Sequence, residues 1–306
     1  MKEDNQDARE MNIDCGAVKA VVRHTVRTRG ISRAYRFLHV TDVHSASSYE
    51  SESEMIRAEA DLRGGKYFPP ECGLTATDRL PLFFRLAENL NADGIIMTGD
   101  ILDFPSAANI DALLAAMSGS DVPAYYCLGN HEWSFLTDYH CKEHEENNIP
   151  KYFPLVNFGK NVARIKELPP SVHYLAADAG DVIVFAVDNS KDQIDPEALQ
   201  AAEVIFSGEK PVLVACHVPF YSETLVKDTV DYWKRIILLG KGGIDPDPVS
   251  RRFMELMTRP GSPVFAVVAG HIHFAHEDLI SDNIVQFVSP EGHAGKCGLI
   301  EILPEE

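Results

Sequence analysis

The sequence lacks both a long hydrophobic run and a strongly basic segment. Its apolar stretches, such as residues 182–187, are far shorter than the roughly 20 residues that cross a bilayer, so no membrane span is expected. The amino-terminal residues MKEDNQDARE are charged and have no apolar core of the kind found in secretory signals. Lysine and arginine total 28 against 46 aspartate and glutamate residues, a net charge of −18, which disfavours nucleic acid as a partner.

Cysteine is infrequent and shows no paired spacing. The six cysteines in 306 residues form no C-x-x-C pair, and Cys127 and Cys216 lie in apolar runs where a buried thiol is expected. A reduced, cytoplasmic protein is therefore expected rather than a disulfide framework. The sequence also lacks the G-x-S-x-G elbow of serine hydrolases and the G-x-x-x-x-G-K-[ST] loop of ATP-driven enzymes, which disfavours both classes.

Short apolar runs alternate with stretches of helical periodicity along most of the chain. This alternation predicts an α/β fold with a mixed sheet or two packed sheets. Residues 1–17 are expected to be a lead-in, and residues 18–306 one domain with an insertion at about 45–77. Helices are predicted over 80–90 after a cap at Thr77 or Asp78, from Ser106, from Asp195, and over 248–257. Strands are predicted at 18–28, 36–41, 94–98, 123–128, 182–187, 212–216 and 264–269, with two or three more near the carboxyl end.

Five of the predicted strands are followed at once by aspartate, asparagine or histidine. Open α/β sheets bind ligands at the carboxyl ends of their strands. Oxygen atoms of aspartate and asparagine, together with imidazole nitrogens, suit divalent manganese, iron or zinc. Seven such ligands are too many for one ion and suit two ions that share a carboxylate. The seven residues are Asp42, His44, Asp100, Asn130, His217, His271 and His273.

These motifs resemble, in order, the signature of the calcineurin-like metallophosphoesterases. That signature is D-x-H, GD-x-x-D, GNH-E/D, an isolated histidine and GH-x-H, and it occurs here at 42–44, 99–103, 129–132, 217 and 270–273. The resemblance covers about residues 36–302 and implies a four-layer α/β/β/α sandwich with two mixed β-sheets. It also implies that one ion is held by Asp42, His44, Asp100 and His273, and the other by Asn130, His217, His271 and the shared Asp100.

The resemblance assigns catalytic roles to two further residues. His131 is expected to contact the phosphate and assist the leaving group, and Asp103 to orient His131. The implied protein is a binuclear metal-dependent phosphoesterase, in which a hydroxide that bridges the two ions attacks a small phosphorylated substrate, a mono- or diester, in line. The alternatives are a pyrophosphatase of a nucleotide-sugar type substrate and a non-catalytic scaffold with the same fold, which the presence of His131 disfavours. The natural substrate and the oligomeric state stay open.

The remaining histidines and Glu132 are interpreted as structural or exposed. The run of glutamates at 143–146 is interpreted as a solvated helix face, and Lys241-Gly242-Gly243 as the end of a helix. His293 follows a predicted strand in a turn-rich loop, where contact with substrate and a plain surface position both stay open. Apart from His293, the histidines outside the five motifs are His24, His39, His140, His144, His173 and His276.

The segment 45–77 is long and polar for a connection and begins directly after His44. We predict that it forms a substrate-shaping cover over the cleft rather than a plain surface insertion. Its cations are Arg57, Arg63 and Lys66, and its aromatic residues are Tyr49, Tyr67 and Phe68.

Overall fold

The structure, a computed structural model, describes residues 18–133 and 159–305. The predictions for the lead-in at 1–17, for His140 and His144, and for the glutamates at 143–146 lie outside these residues. The strands are β1 (Ala20–Thr28), β2 (Tyr35–Val40), β3 (Gly94–Thr98), β4 (Ala124–Cys127), β5 (Gly159–Lys160), β6 (Ala163–Arg164), β7 (Tyr174–Asp178), β8 (Ile183–Val187), β9 (Val212–Cys216), β10 (Val264–Ala269), β11 (His276–Ser281), β12 (Ile284–Val288) and β13 (Lys296–Pro304).

Side-chain caps begin most of the helices. Ser106 and Asp195 cap their helices as predicted, each accepting a hydrogen bond from a backbone N–H of the first turn. A π-helical turn (Arg63–Tyr67) continues the first helix, and a 3-10 turn (Gly292–Ala294) precedes β13. The helices are α1 (Glu54–Leu62), α2 (Ala76–Asn89), α3 (Ala107–Ser118), α4 (Asn130–Trp133), α5 (Pro196–Ile205), α6 (Glu223–Trp233) and α7 (Pro248–Thr258).

The strands form two mixed sheets. The first sheet has the order β1-β13-β2-β3-β4-β5, and the second has the order β11-β12-β10-β9-β8-β7-β6. Parallel pairs run from β2 to β4 in the first sheet and from β8 through β9 and β10 to β12 in the second, and antiparallel pairs flank them. At the edge of the first sheet, β1 pairs with β13 in parallel. The carboxyl ends of the central strands therefore lie along one edge of each sheet, which is where the predicted ligands follow.

The core is divided by the second sheet, and alternate residues of its strands belong to different layers. Val184 and Ala186 of β8 lie in the core shared with the first sheet, whereas Phe185 and Val187 pack among residues of α5, α6 and α7. Residues of α2 and α3 pack against the first sheet in the same way. Because both faces of the central strands are covered, these strands are apolar throughout. The α/β/β/α sandwich expected from the resemblance is confirmed.

Two local predictions are wrong. The cap of α2 is Thr75 and not Thr77 or Asp78, because Thr75 and Asp78 form a reciprocal capping box that satisfies both backbone donors. The glycines at 242 and 243 do not end a helix. The helix α6 ends at Trp233, where Lys234 takes the left-handed conformation with a φ of 59°.

The described helices and cysteines bear on two expectations drawn from the composition. None of the described helices combines the length and the apolar character that a bilayer crossing needs. The four described cysteines are free thiols, and Cys127 and Cys216 are buried as expected.

Candidate metal centre

The seven predicted ligands follow the carboxyl ends of five central strands, six in loops and Asn130 at the first residue of α4. Asp42 and His44 follow β2, Asp100 follows β3 and Asn130 follows β4, so that the first sheet supplies four of them. The second sheet supplies the other three, because His217 follows β9 and the pair His271 and His273 follows β10. The candidate centre is therefore built across the edges of both sheets.

The backbone of this centre is strained at most of the ligand positions. A left-handed conformation costs a non-glycine residue roughly 1–2 kcal/mol, although aspartate and histidine adopt it more readily than most residues. Such strain concentrates at functional sites, where the surrounding structure enforces it. The ligand residues with positive φ are Asp42 (51°), His44 (50°), Asp100 (50°), His271 (70°) and His273 (61°).

Glycines in the motifs allow neighbouring loops to approach closely. A Cβ on Gly99, whose φ is 80°, would lie 2.3 Å from the backbone nitrogen of Gly129. A Cβ on Gly270 would lie 1.8 Å from the hydroxyl oxygen of Thr41. Both positions therefore exclude any side chain, and the second brings the His271 loop onto Asp42.

The first cluster of donor atoms consists of Asp42, His44 and His273. The two imidazole Nε2 atoms of His44 and His273 are 3.2 Å apart. Oδ1 of Asp42 lies 3.2 Å from Nε2 of His273 and 3.9 Å from Nε2 of His44. Nδ1 of His44 donates to the carboxylate of Asp103 at 2.9 Å, which leaves Nε2 of His44 facing the cluster.

The second cluster consists of Asn130, His217 and His271, with Asp100 between the two clusters. Nε2 of His217 lies 3.0 Å from Oδ1 of Asn130 and 3.1 Å from Nδ1 of His271. Oδ2 of Asp100 is 3.3 Å from Nε2 of His217 and 3.8 Å from Nε2 of His44, so this one oxygen faces both clusters. Nδ1 of His217 donates to the carbonyl of Thr98 at 2.7 Å.

These donor atoms fit divalent cations. Two donors bound to one ion at about 2.1 Å lie about 3.0–3.4 Å from each other, close to the shorter separations in both clusters. Oδ2 of Asp42 accepts hydrogen bonds from Thr41 and His271, whereas the buried Oδ1 accepts none from any described residue. A buried carboxylate oxygen without a donor is accounted for when a cation binds it.

The two histidines of the second cluster have pKa values shifted in opposite directions, and the carboxylates stay ionised. Burial disfavours protonation of His217, but the carboxylate of Asp100 overcomes this effect and raises the pKa of His217 to about 10. Burial and the neighbouring His217 lower the pKa of His271 to about 3. Burial also opposes the charged form of Asp42, yet the adjacent His273 lowers the pKa of that carboxyl. A cation in each cluster satisfies the same carboxylates.

His131 lies beside both clusters and is held by Asp103. Its Nδ1 is 2.9 Å from the carbonyl oxygen of Asp103 and 3.0 Å from the carboxylate Oδ1. Burial lowers the pKa of His131, but the charges of Asp100 and Asp103 overcome this effect and raise it to about 9. His131, His44 and Asp100 also form a third group of donors that lie within 4.8 Å of one another.

Glu132 anchors the loops that carry Asp100 and Asn130. It is fully buried, and its carboxylate accepts hydrogen bonds from four backbone N–H groups and from the hydroxyl of Tyr126. These bonds agree with the structural role predicted for Glu132. The backbone donors belong to Asp100, Ile101, Leu102 and Gly129.

Asn189 anchors the loop that carries His217, as Glu132 anchors the loop that carries Asp100. This role of Asn189 was not predicted from the sequence. Its Oδ1 accepts hydrogen bonds from the backbone N–H of His217 at 3.0 Å and of Val218 at 2.9 Å. Its amide nitrogen donates to the carbonyl of Val218 at 2.7 Å. The signal was present, because Asp188-Asn189 follows the predicted strand at 182–187 as the ligands follow theirs.

A family model described as calcineurin-like phosphoesterase matches residues 35–275, which is more than half of the chain. The chain belongs to this family. No curated protein sequence matches the chain.

Three solved structures with similar folds have low sequence identity to this calcineurin-like phosphoesterase. One is a dimetal phosphatase from Danio rerio, with 11% identity, coverage of 85% of this chain and 88% of that chain, and a TM-score of 0.49. A 5'-nucleotidase from Candida albicans has 13% identity and a TM-score of 0.40, and the match covers 87% of this chain and 47% of that one. Phosphopantetheinyl hydrolase from Mycobacterium tuberculosis has 11% identity, coverage of 85% and 91%, and a TM-score of 0.41.

A cavity of about 750 Å³ opens on the candidate metal centre of this calcineurin-like phosphoesterase. His293 lines it with His44 and His273, and the three rings lie within 6.1 Å of one another. Burial and the neighbouring His44 lower the pKa of His293 to about 3. Of the two positions that the sequence left open for His293, the structure places it in the cleft.

The segment 45–77 reaches the metal centre through its π-helical turn. Arg63 donates two hydrogen bonds to the carboxylate of Asp103, and the ring of Phe68 stacks on that of His44 at 4.3 Å. Arg63, Tyr67 and Phe68 line the cavity, whereas Arg57 donates to backbone carbonyls within its own segment. Of the three predicted cations, only Arg63 is therefore part of the described cavity lining.

Apart from His293, the described histidines outside the five motifs have protein partners. His39 is buried between the hydroxyls of Ser289 and Thr98, at 2.6 and 2.8 Å. Each of the other three lies near a carboxylate. These pairs are His24 with Glu277, His173 with Asp188, and His276 with Asp228.

Proposed function

We propose that this protein hydrolyses a phosphate mono- or diester with two divalent ions of manganese, iron or zinc. One ion is held by Asp42, His44, His273 and Asp100, and the other by Asn130, His217, His271 and the same Asp100. The observation that carries the proposal is the position of Asp100. Its Oδ2 faces a donor of each cluster, at 3.3 and 3.8 Å, as a shared carboxylate requires.

When bound, the two ions lower the pKa of water to give a nucleophile near neutral pH and offset the charge of the phosphoryl oxygens. The protein groups supply orientation and proton transfer. The charges of Asp100 and Asp103 raise the pKa of His131 to about 9, which favours the protonated ring. With Nδ1 held by Asp103, the other ring nitrogen, Nε2, donates its proton to the phosphate or to the leaving oxygen.

Asp103 has the task of fixing this arrangement. Its carboxylate contacts His131, His44 and Arg63 together, so a single group orients the proposed acid and one proposed ligand. Burial opposes ionisation of Asp103, but its hydrogen bonds with His131, His44 and Arg63 lower its pKa, which keeps it an acceptor.

Metal loading combined with a substrate panel tests the proposal. Chelated protein reloaded with manganese should bind more than one equivalent by elemental analysis and should hydrolyse members of a panel of phosphomonoesters, phosphodiesters and pyrophosphates. His217→Ala should lose both properties. His276→Ala, which removes a histidine paired with Asp228, should keep both. A folded sample that binds only trace metal contradicts the two-ion site, and a loaded sample that hydrolyses no member of the panel supports the scaffold alternative instead.

A further inference from the structure

The cavity beside the metal centre is much larger than a phosphoryl group requires. Its volume of about 750 Å³ lies within the range of roughly 300–1,000 Å³ typical of pockets for organic ligands. The metal-centre residues occupy one part of its lining, including Asp100 and His131. The rest of the lining belongs to residues that have no role in the proposed chemistry, so this part is available to the alcohol portion of the ester.

One wall of this space is aromatic and comes from the inserted segment. Tyr67 leaves 51% of its surface exposed although it lines the cavity. Phe68 is fixed by its stacking on His44 at 4.3 Å and by its contact with His293 at 4.9 Å. The guanidinium of Arg63 lies 4.9 Å from the ring centre of Tyr67 and 5.2 Å from that of Phe68. Arg63 is also paired with Asp103, the carboxylate that contacts His44 and His131. Arg63 therefore connects the two rings to the candidate metal centre.

A second wall comes from the end of α6 and the residues after it. The indole Nε1 of Trp233 donates to the carbonyl of Ile272 at 2.8 Å, so the ring offers the cavity mainly apolar surface. The ring packs edge-on against His273 with 5.4 Å between centroids. Ile236 and Ile237 extend this apolar lining.

Arg63 and Arg235 line the cavity together with Asp100 and Asp192, so the lining carries charges of both signs. Arg63 is paired with Asp103 and lies over the rings of Tyr67 and Phe68. Aromatic rings attached to a cationic site bind flat rings by stacking, which puckered rings of equal size do not match. We therefore propose that the substrate is a phosphate ester whose alcohol carries a flat aromatic or heteroaromatic ring, bound at Tyr67, Phe68 and Trp233. This inference rests on the proposed function and names its substrate class.

The experiment compares three phosphomonoesters of primary alcohols, so that the leaving oxygens are chemically similar. The substrates are ethyl, cyclohexylmethyl and benzyl phosphate, and kcat/KM is measured with the manganese-loaded full chain. We expect benzyl phosphate to exceed cyclohexylmethyl phosphate by about threefold or more and ethyl phosphate by about tenfold or more. Calorimetric titration with benzylphosphonate and cyclohexylmethylphosphonate, whose C–P bonds are not hydrolysed, should give the same order of affinity.

Variants of Tyr67 test where the preference arises. Tyr67→Leu should bring the ratio of benzyl to cyclohexylmethyl phosphate close to one, whereas Tyr67→Phe should retain it, because the ring is kept. Tyr49→Leu is the matched control. Tyr49 belongs to the same segment and is 46% exposed, but its hydroxyl donates to Asp111 and it is outside the described cavity lining. The ratio should not change in that variant.

The outcomes separate this inference from the proposed function. Hydrolysis of all three esters at similar kcat/KM, or a preference for cyclohexylmethyl over benzyl phosphate, overturns the aromatic subsite and leaves the phosphoesterase intact. Tighter binding of benzylphosphonate without hydrolysis of any of the three monoesters supports the subsite and overturns the monoester form of the proposed function. Equal binding of the two phosphonates without hydrolysis overturns both. A ratio that is the same in Tyr67→Leu and wild type overturns the role of this wall.

Discussion

Replacement of Glu132 by glutamine should weaken the metal centre although Glu132 is not a proposed ligand. The carboxylate accepts five hydrogen bonds, with Oε2 receiving the backbone N–H groups of Asp100 and Gly129. In Glu132→Gln, an amide NH₂ faces at least two of these donors, and a hydrogen bond to a charged group contributes about 1.5–3 kcal/mol. The expected loss in the free energy of unfolding is therefore about 3–6 kcal/mol.

Thermal unfolding of the chelated protein measures this loss. For a chain of 306 residues, an unfolding entropy of about 2.1 cal/mol/K per residue converts 3 kcal/mol into a decrease of about 5 °C in Tm. Glu88→Gln is the control, because Glu88 is exposed and accepts one described hydrogen bond, from Ser120. Its Tm should change by about 1 °C or less.

Metal retention gives the second measurement on the same variant. Asp100 and Asn130 lie on the two loops that Glu132 joins, so Glu132→Gln should retain less manganese than wild type at equal free metal. Wild-type Tm together with wild-type manganese content would refute the anchoring role of Glu132.

Three further predictions concern single side chains. Asp100→Asn should lower manganese content at both sites, whereas His271→Ala should lower it at one site. Elemental analysis measures both losses, and equal losses in the two variants would argue against a shared carboxylate. His131→Ala should retain metal while turnover falls about 10²–10⁴-fold, and loss of metal would instead make His131 a ligand. Burial holds the pKa of His39 at about 3, below its ordinary 6.5, so the neutral ring stabilises the fold fully above pH 6.5 and progressively less as the pH falls towards 3. The free energy of unfolding of the wild type should therefore decrease by up to about 2 kcal/mol between pH 6.5 and 5 because of His39, and His39→Gln should lack this part of the decrease. The same dependence of the unfolding free energy on pH in both proteins would contradict this.

The sequence predicted the parts of the site that depend on strand ends. Asp42, Asp100 and His217 each follow an apolar strand, and the ends of adjacent parallel strands meet at one edge, so their proximity follows from local pattern. No pattern in the sequence predicted the left-handed backbone at Asp42 and Asp100. The Gly129 loop lies against Asp100 and the Gly270 loop lies against Asp42 in the folded chain, and these approaches between distant segments are not visible in local sequence.

Contacts between distant segments could not be read from the sequence in the same way. Arg63 precedes Asp103 by 40 positions, and only the path of α1 and its π-helical turn brings the two together. The misplaced helix end has a related cause. Glycine at 242 and 243 predicted a stop, but Lys234 ends the helix in the left-handed conformation without glycine.

The division of the proposed ligands between the two sheets, four from one and three from the other, has a mechanical consequence. Ions bound there would link two layers that are otherwise joined by apolar packing and by hydrogen bonds such as those from His217 to Thr98 and from His271 to Asp42. Ligand binding to the native state alone adds RT ln(1 + [L]/Kd) to stability, which is about 2.7 kcal/mol at a free metal concentration of 100 times Kd. The metal supply of the cell would then determine how long each molecule resists unfolding and proteolysis, in addition to how fast it turns over substrate.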